Sequence, residues 1–427
     1  MRILIYGINY FPELTGIGKY TGEMAPWLAK QGHTVEVITA PPYYPEWDIH
    51  PAYQGKGWHT ERLDGVTVHR SPLYIPKTVS SGKRILHEFS FVASSLPYWL
   101  KALFGKRYDV VICMAPAFHL GFIALAYSRL RGVPFLYHIQ DLQVDMAKEL
   151  GMLKNQTFLS ILTKAEKIIL NGCTAVSTIS EGMIRKIMAK GIPASKCVLF
   201  PNWVDRAFIR PLPVSESLRA SFGLQPTDRV VLYSGSLGEK QGLDIILTVA
   251  NRLRHHNDLY FLIVGSGGAE QKLVELAKTQ QLTQVQFFPL QPYEQLSALL
   301  ATADIHLVLQ RKSASDLVLP SKLTGILAAG GFSLITAVPH TSLYNLVETH
   351  KVGLVIEPES ADALQAGIEK ALTLDLTPYR QNARRYAESY IDKDAILKAF
   401  EGELKRITSR QRQPNPTPPL KAGEELA

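Results

Sequence analysis

Two successive series of short apolar runs, each run followed by a turn and a helical stretch, constrain this chain more than any other feature. The first series begins at residues 2–7 (RILIYG), an apolar run ending in glycine, as buried strands do. Residues 18–30 then show helical spacing of Tyr20, Met24, Trp27 and Leu28, with Gly32 as a C-terminal stop. Residues 34–39 (TVEVIT) alternate as a strand, and similar runs recur at 66–69, 109–113, 134–138, 174–178 and 196–200. A second series starts at 229–233 (RVVLY) and continues at 259–264, 285–288, 305–309, 333–336 and 353–356. Strands alternating with helices predict parallel βαβ units. At 427 residues the chain is too long for one ordinary core, so two successive doubly wound domains are expected. The segment 201–205 (PNWVD) reads as the hinge. Ligands of such sheets sit beyond the C-terminal strand ends, so the domains would face each other across a cleft.

Composition narrows the function. Hydrophobic residues make up 46% and charged residues 20%, which excludes disorder along most of the chain. Residues 408–427, rich in Pro, Gln, Arg and Glu, are expected to be a disordered tail. No apolar run approaches about 18 residues, which argues against a membrane-spanning helix. The N-terminus lacks the apolar core of a signal peptide, so a cytoplasmic location is expected. Cys113, Cys173 and Cys197 are scattered and odd in number, and read as structural thiols. Basic residues outnumber acidic ones by 22 to 14 in residues 1–200 and balance at 24 to 24 thereafter, so the net charge of +8 lies in the first half. That half should face something anionic: a phosphorylated small molecule, a membrane surface or nucleic acid. No nucleic-acid motif accompanies the charge, so no nucleic-acid partner is expected.

The candidate site residues lie at the strand ends. The loop after the first strand carries Glu13, Gly16 and Gly18, and opens a helix. The glycines would let backbone N–H groups approach a phosphate or a sugar. The loop is not GxGxxG and no acid ends the second strand, which argues against a nicotinamide dinucleotide. His138 ends a strand in HIQD, with Asp141 beyond it; a histidine at that rim can hydrogen-bond a ligand. In the second half, Gly235, Ser236 and Lys240 follow one strand (YSGSLGEKQG) and Gly267 follows another (VGSGG), at equivalent strand ends. Residues 313–331 (SASDLVLPSKLTGILAAGG) carry Asp316 before a helix start, Ser321 as its expected cap, and Lys322 in its first turn. A cation there opposes the macrodipole preference for acids, which suggests a bound anion such as a diphosphate.

These residues carry a resemblance. The stretches YGINYFPELTGIGKYTGEM, VITAPPYYP, HIQDLQVD, FPNW, YSGSLGEKQGL, VGSGG, FFPLQPYEQL and LPSKLTGILAAGG, in this order, resemble GT-B glycosyltransferases of sequence family 4. Within it they resemble the WcaI-type group of colanic acid biosynthesis, assigned as fucosyltransferases. The resemblance implies an α/β GT-B fold of two Rossmann-like domains around a cleft. Residues 1–203, completed by 382–405 crossing back, would take the acceptor, and 204–381 the nucleotide-sugar. It implies retaining transfer without an essential metal or cofactor, with GDP-fucose as donor and a polyprenyl-diphosphate-linked saccharide as acceptor. His138 and Asp316 would be catalytic. Gly16, Gly18, Gly235, Ser236, Lys240, Gly267, Leu290, Ser321, Lys322 and Thr324 would hold the donor, with Glu13 and Asp141 on the acceptor side.

The chain departs from the family pattern at four positions. Two glutamates of the family fall on Asp316 and Thr324, and its diphosphate Arg and Lys on Ser236 and Gln241. Thr324 lacks the carboxylate that takes two ribose hydroxyls, while Lys322 substitutes for the missing phosphate cation. Rival readings are another donor such as a UDP-sugar, a sugar-nucleotide epimerase, and a non-catalytic, membrane-associated assembly subunit. Thr324, Ser236 and Gln241 are the features that would support the last, and residues 82–107 bear separately on reversible docking at an anionic membrane. Lys83, Arg84, Lys101, Lys106 and Arg107 face a single acid, Glu88, beside two apolar helical stripes divided by Pro97. That pattern fits a helix pair lying on an anionic membrane surface, and equally crossover helices on the sheet.

Overall fold

A computed structural model describes residues 1–13, 16–78, 80–115, 117–149, 155–238, 241–312 and 320–410. Among these, the first half builds β1 (Arg2–Tyr6), β2 (Thr34–Thr39), β3 (His59–Leu63), β4 (Val66–Arg70), β5 (Val110–Ala115), β6 (Phe135–Ile139), β7 (Ala175–Thr178) and β8 (Cys197–Leu199). They form one sheet in the order β3-β4-β2-β1-β5-β6-β7-β8, parallel except for β3. The second half builds β9 (Arg229–Ser234), β10 (Leu259–Val264), β11 (Val285–Phe288), β12 (Ile305–Val308), β13 (Ser333–Thr336) and β14 (Gly353–Ile356). Their order is β11-β10-β9-β12-β13-β14, all parallel. The order reverses between β1 and β5, and again between β9 and β12, the switch points where such sheets bind ligands.

The helices of the first half are α1 (Gly16–Lys30), α2 (Ser81–Phe104), α3 (Leu120–Arg131), α4 (Gln143–Glu149), α5 (Gln156–Gly172) and α6 (Glu181–Ala189). Those of the second are α7 (Asp244–Arg252), α8 (Glu270–Thr279), α9 (Leu296–Ala301), α10 (Lys322–Ala328), α11 (Ser342–His350), α12 (Ala361–Thr373), α13 (Thr377–Tyr390) and α14 (Lys393–Arg410). Apolar residues cover both faces of the central strands, as parallel sheets require. Ile3, Ile5, Val110 and Ile112 pack with Met24 and Leu28 of α1. Leu4, Tyr6, Val111 and Cys113 pack on the other face with α2, α3 and α5.

The structure differs from the sequence reading in four places. The antiparallel edge strand β3 (HTERL) was not expected, because its half-polar composition hides a strand with one solvated face. The stripes flanking Pro97 form one continuous helix, α2. Pro97 is exposed, so the carbonyl its ring leaves unpaired faces solvent. Residues 408–410 continue α14, and 411–427 lie outside the described residues. The return to the first domain comes later than residue 382. Residues 382–390 still belong to α13, where the Arg384 guanidinium donates to the carbonyl of Ala328, 2.7 Å away in the second domain.

The return itself is a paired hinge. Val204 N–H donates to Ile391 C=O at 2.9 Å, and Lys393 N–H to Val204 C=O at 3.2 Å. α14 then lies on α1, where the Trp27 indole donates to Asp394 at 2.8 Å. Phe400 of α14 stacks on Phe200 with ring centroids 3.7 Å apart. Phe400→Ala should therefore cost about 3–5 kcal/mol in urea unfolding of the full chain. A loss under about 1 kcal/mol would show that α14 is not part of the first domain's core.

Candidate active site

β9 ends at Ser234 and turns through Gly235 (φ 128°); β10 ends at Val264 and turns through Gly265 (φ 152°). A Cβ on Gly265 would stand 1.9 Å from the Gly235 carbonyl oxygen, and one on Gly267 2.5 Å from that of Leu237. Only glycine permits so close an approach. The two loops are laid together by Gly235 N–H to Val264 C=O (2.9 Å) and Leu237 N–H to Ser266 C=O (2.8 Å). Ser236 is exposed on the outer turn. Lys240 lies outside the described residues, as does Asp316.

Lys322, the first residue of α10, reaches over this turn. A Cβ on Gly235 would meet its Cε and Nζ at 3.2 Å. The ammonium also sits 3.5 Å from the ring centroid of Tyr233, whose hydroxyl donates to Ser236 C=O at 2.7 Å. A positive charge thus stands over a glycine turn at the β9–β12 switch point, where an anion would be attracted. Ser321 does not cap α10. It is already helical (φ −61°, ψ −26°) and its side chain makes no capping bond, whereas a capping residue needs extended backbone. Its exposed hydroxyl is therefore not tied to the helix. Leu290 lies exposed just beyond β11.

Thr324 is buried, and its hydroxyl donates to Ser321 C=O at 2.8 Å. The position read as facing a ribose lies against the first domain, close to the phenol of Tyr20. Tyr20 lies two residues past Gly18, and Thr324 two past Lys322. The starts of α1 and α10 therefore approach each other across the cleft. On the first-domain side, Gly16 (φ 56°) opens α1 with no atom within 4 Å of a Cβ placed there. Gly18 is packed tightly, its would-be Cβ 2.7 Å from Glu13 Oε2.

Glu13 is buried. Its Oε1 accepts the backbone N–H groups of Tyr43 (2.9 Å) and Tyr44 (3.0 Å), and its Oε2 the amide of Asn9 (2.9 Å). Burial outweighs these bonds and pushes the carboxyl up to about 7. Asp141, beyond β6, is partly buried, within electrostatic reach of Tyr44. His138 was expected to face the sugar, but it is fully buried in the first domain. The Gln140 amide donates to its Nε2 at 2.9 Å, so the ring proton rests on Nδ1 and is donated to Ser177 Oγ at 2.9 Å. Burial holds its pKa down at about 3, so the imidazole is neutral.

A polar cluster at the hinge escaped the sequence reading. Trp203 Nε1 donates to Glu23 (2.8 Å), which also pairs with Lys393 (3.2 Å). Lys19 lies among them, its ammonium 5.4 Å from the Tyr20 ring and 5.5 Å from that of Tyr293, and burial lowers its pKa. The sequence touched it only at the hinge segment 201–205, which holds Trp203, and at Lys19 after the first glycine loop. Among the described residues no three His, Cys, Asp or Glu side chains are grouped to hold a metal ion.

Residues 15–203 match the glycosyl transferase 4-like domain, and residues 214–390 the glycosyl transferases group 1 domain. The chain is 43% identical over 95% of its length, and all of the relative's, to WcaI of Escherichia coli K12, a protein named for glycosyl transfer in colanic acid biosynthesis. The chain belongs to this glycosyltransferase family. The fold of the glycosyltransferase is that of the GT-B enzymes. It is similar to sucrose-phosphate synthase from Thermosynechococcus elongatus (TM-score 0.76, 17% identity, 96% of this chain and 99% of the other). It is also similar to Anabaena HepE, solved with UDP and glucose (TM-score 0.69, 15% identity, 95% and 100%).

The buried carboxyl makes this glycosyltransferase's stability pH-dependent. Glu13 binds its proton more tightly folded than unfolded, so ionisation destabilises the fold as pH rises from about 4.5 through about 7. Glu13→Gln keeps an acceptor for Tyr43 and Tyr44 and removes the titration. Urea unfolding at about pH 5 and about pH 8 should show the variant gaining on wild type at the higher pH. Equal changes in both proteins would mean Glu13 does not titrate in this range.

Proposed function

We propose that this glycosyltransferase moves fucose from GDP-fucose, with retention and without an essential metal, onto a polyprenyl-diphosphate-linked saccharide in colanic-acid-like exopolysaccharide assembly. The observation that carries the reading is Lys322 over the Gly235 turn, with the first turn of α1 opposite. A departing nucleoside diphosphate builds negative charge on its β-phosphate. Lys322 and the backbone N–H groups of the loops following β9 and β10 would stabilise that charge, and cleft closure would keep water from the donor. Asp316 would lie beside the donor sugar, and Gly16 and Gly18 would border it. Neutral His138 would position Gln140 at that rim, with Glu13 and Asp141 on the acceptor side. The name of the E. coli relative supports the choice of pathway. A UDP-sugar is the second reading for the donor, favoured by the likeness to HepE, which was solved with UDP.

The test incubates the full chain with labelled GDP-fucose or UDP-sugars and a polyprenyl-diphosphate-linked saccharide. Label should pass from GDP-fucose to the lipid-linked product. Transfer from a UDP-sugar alone would move the donor assignment, and transfer from none would overturn the proposal. Lys322→Ala should weaken GDP binding about 10–100-fold, since a charge-assisted hydrogen bond contributes about 1.5–3 kcal/mol. Asp316→Asn should lower turnover and leave GDP affinity in place. Wild-type affinity in Lys322→Ala would remove Lys322 from the phosphate site.

A further inference from the structure

The helices on the outer face of the first sheet leave an apolar and basic surface that no element among the described residues covers. α3 lies between α2 and α5, and their inner faces fill one core. Outward they expose large apolar side chains: Leu86 (56%), Phe89 (53%) and Phe104 (83%) on α2, Leu130 (71%) on α3, and Ile161 (57%) and Ile168 (53%) on α5. Scattered single apolar residues are ordinary on a surface, but three adjacent helices sharing such a face are not.

The charges on these helices are sorted. Lys83, Arg84, Lys101, Arg129, Lys164 and Lys167 are exposed. The two acids, Glu88 and Glu166, are turned in, with side chains 12% and 5% exposed. Glu88 pairs with Arg84 at 3.2 Å and stands 3.8 Å from His119, while Glu166 is held by Lys190. Exposed cations with apolar side chains between them, and acids withdrawn inward, complement an anionic bilayer, with apolar groups entering the headgroup boundary. No helix among the described residues is long and apolar enough to cross a membrane, so the contact would lie along the surface.

We propose that α2, α3 and α5 together form a docking face for an anionic lipid bilayer. The face adjoins the cleft, because Arg84 at the start of α2 lies within electrostatic reach of Tyr44, in the loop that Glu13 anchors. Docking would thus hold the acceptor side at the bilayer. The sequence pointed to α2 alone; α3 and α5 join it only through the packing of the helices. The docking does not depend on which donor is used.

The test is co-sedimentation of the full chain with vesicles of phosphatidylcholine, with and without phosphatidylglycerol, at low and high salt. Wild type should bind only the anionic vesicles, and lose them at high salt. The variant Lys83→Gln/Lys101→Gln/Lys164→Gln/Lys167→Gln should partition at least about tenfold more weakly, as should Leu86→Ser/Phe104→Ser/Ile161→Ser. Thermal unfolding checks that both fold. Absence of binding at low salt, or equal partitioning of variants and wild type, would overturn the proposal. So would a wild-type dimer that the apolar variant dissolves while its vesicle binding is unchanged, since a second copy would then cover the face.

Discussion

The backbone at Gly265 runs so near the Gly235 carbonyl that a Cβ would stand 1.9 Å from the oxygen, and the candidate donor site depends on that approach. With no side chain at either position, the loops following β9 and β10 lie against each other beyond the sheet. The Lys322 side chain then lies over Gly235, its Cε and Nζ 3.2 Å from where a Cβ would stand. The site is a consequence of strand order, because the reversal between β9 and β12 leaves space there for α10 to bring its first residue over the turn.

The second constraint is the junction of the domains. Backbone pairing of Val204 with Ile391 and Lys393 joins the two crossing segments, and the Phe200–Phe400 stack fixes the returning helix. Tyr20 then meets Thr324 across the cleft. A carboxylate at position 324 would have been buried beside a phenol; threonine instead satisfies the Ser321 carbonyl, with Tyr20 close by. The hinge charges Glu23 and Lys393, with Lys19 beside them, belong to the same junction.

Much of this was legible in the sequence, for physical reasons that also explain the rest. Buried parallel strands such as 259–264 announce themselves because both faces are apolar, whereas β3, with a solvated face, does not. Lys322 stood out because a cation in a first helical turn breaks a local rule. His138 shows the limit. Its place at a strand end could be read, but its burial and its bond to Ser177, 39 residues on, depend on packing between distant segments. Thr324 could be read as a departure from a family pattern, but its partner, Tyr20, lies about 300 residues away and no local spacing links them.

The central claim is that a nucleoside diphosphate binds where Lys322 crosses the Gly235 turn. Amide hydrogen exchange of the full chain, with and without saturating GDP, tests it most directly. The account predicts slower exchange in residues 235–238, 265–268 and 321–324, with smaller protection where α1 begins at Gly16. Protection confined to the first domain, or none at these turns with GDP bound, would contradict it.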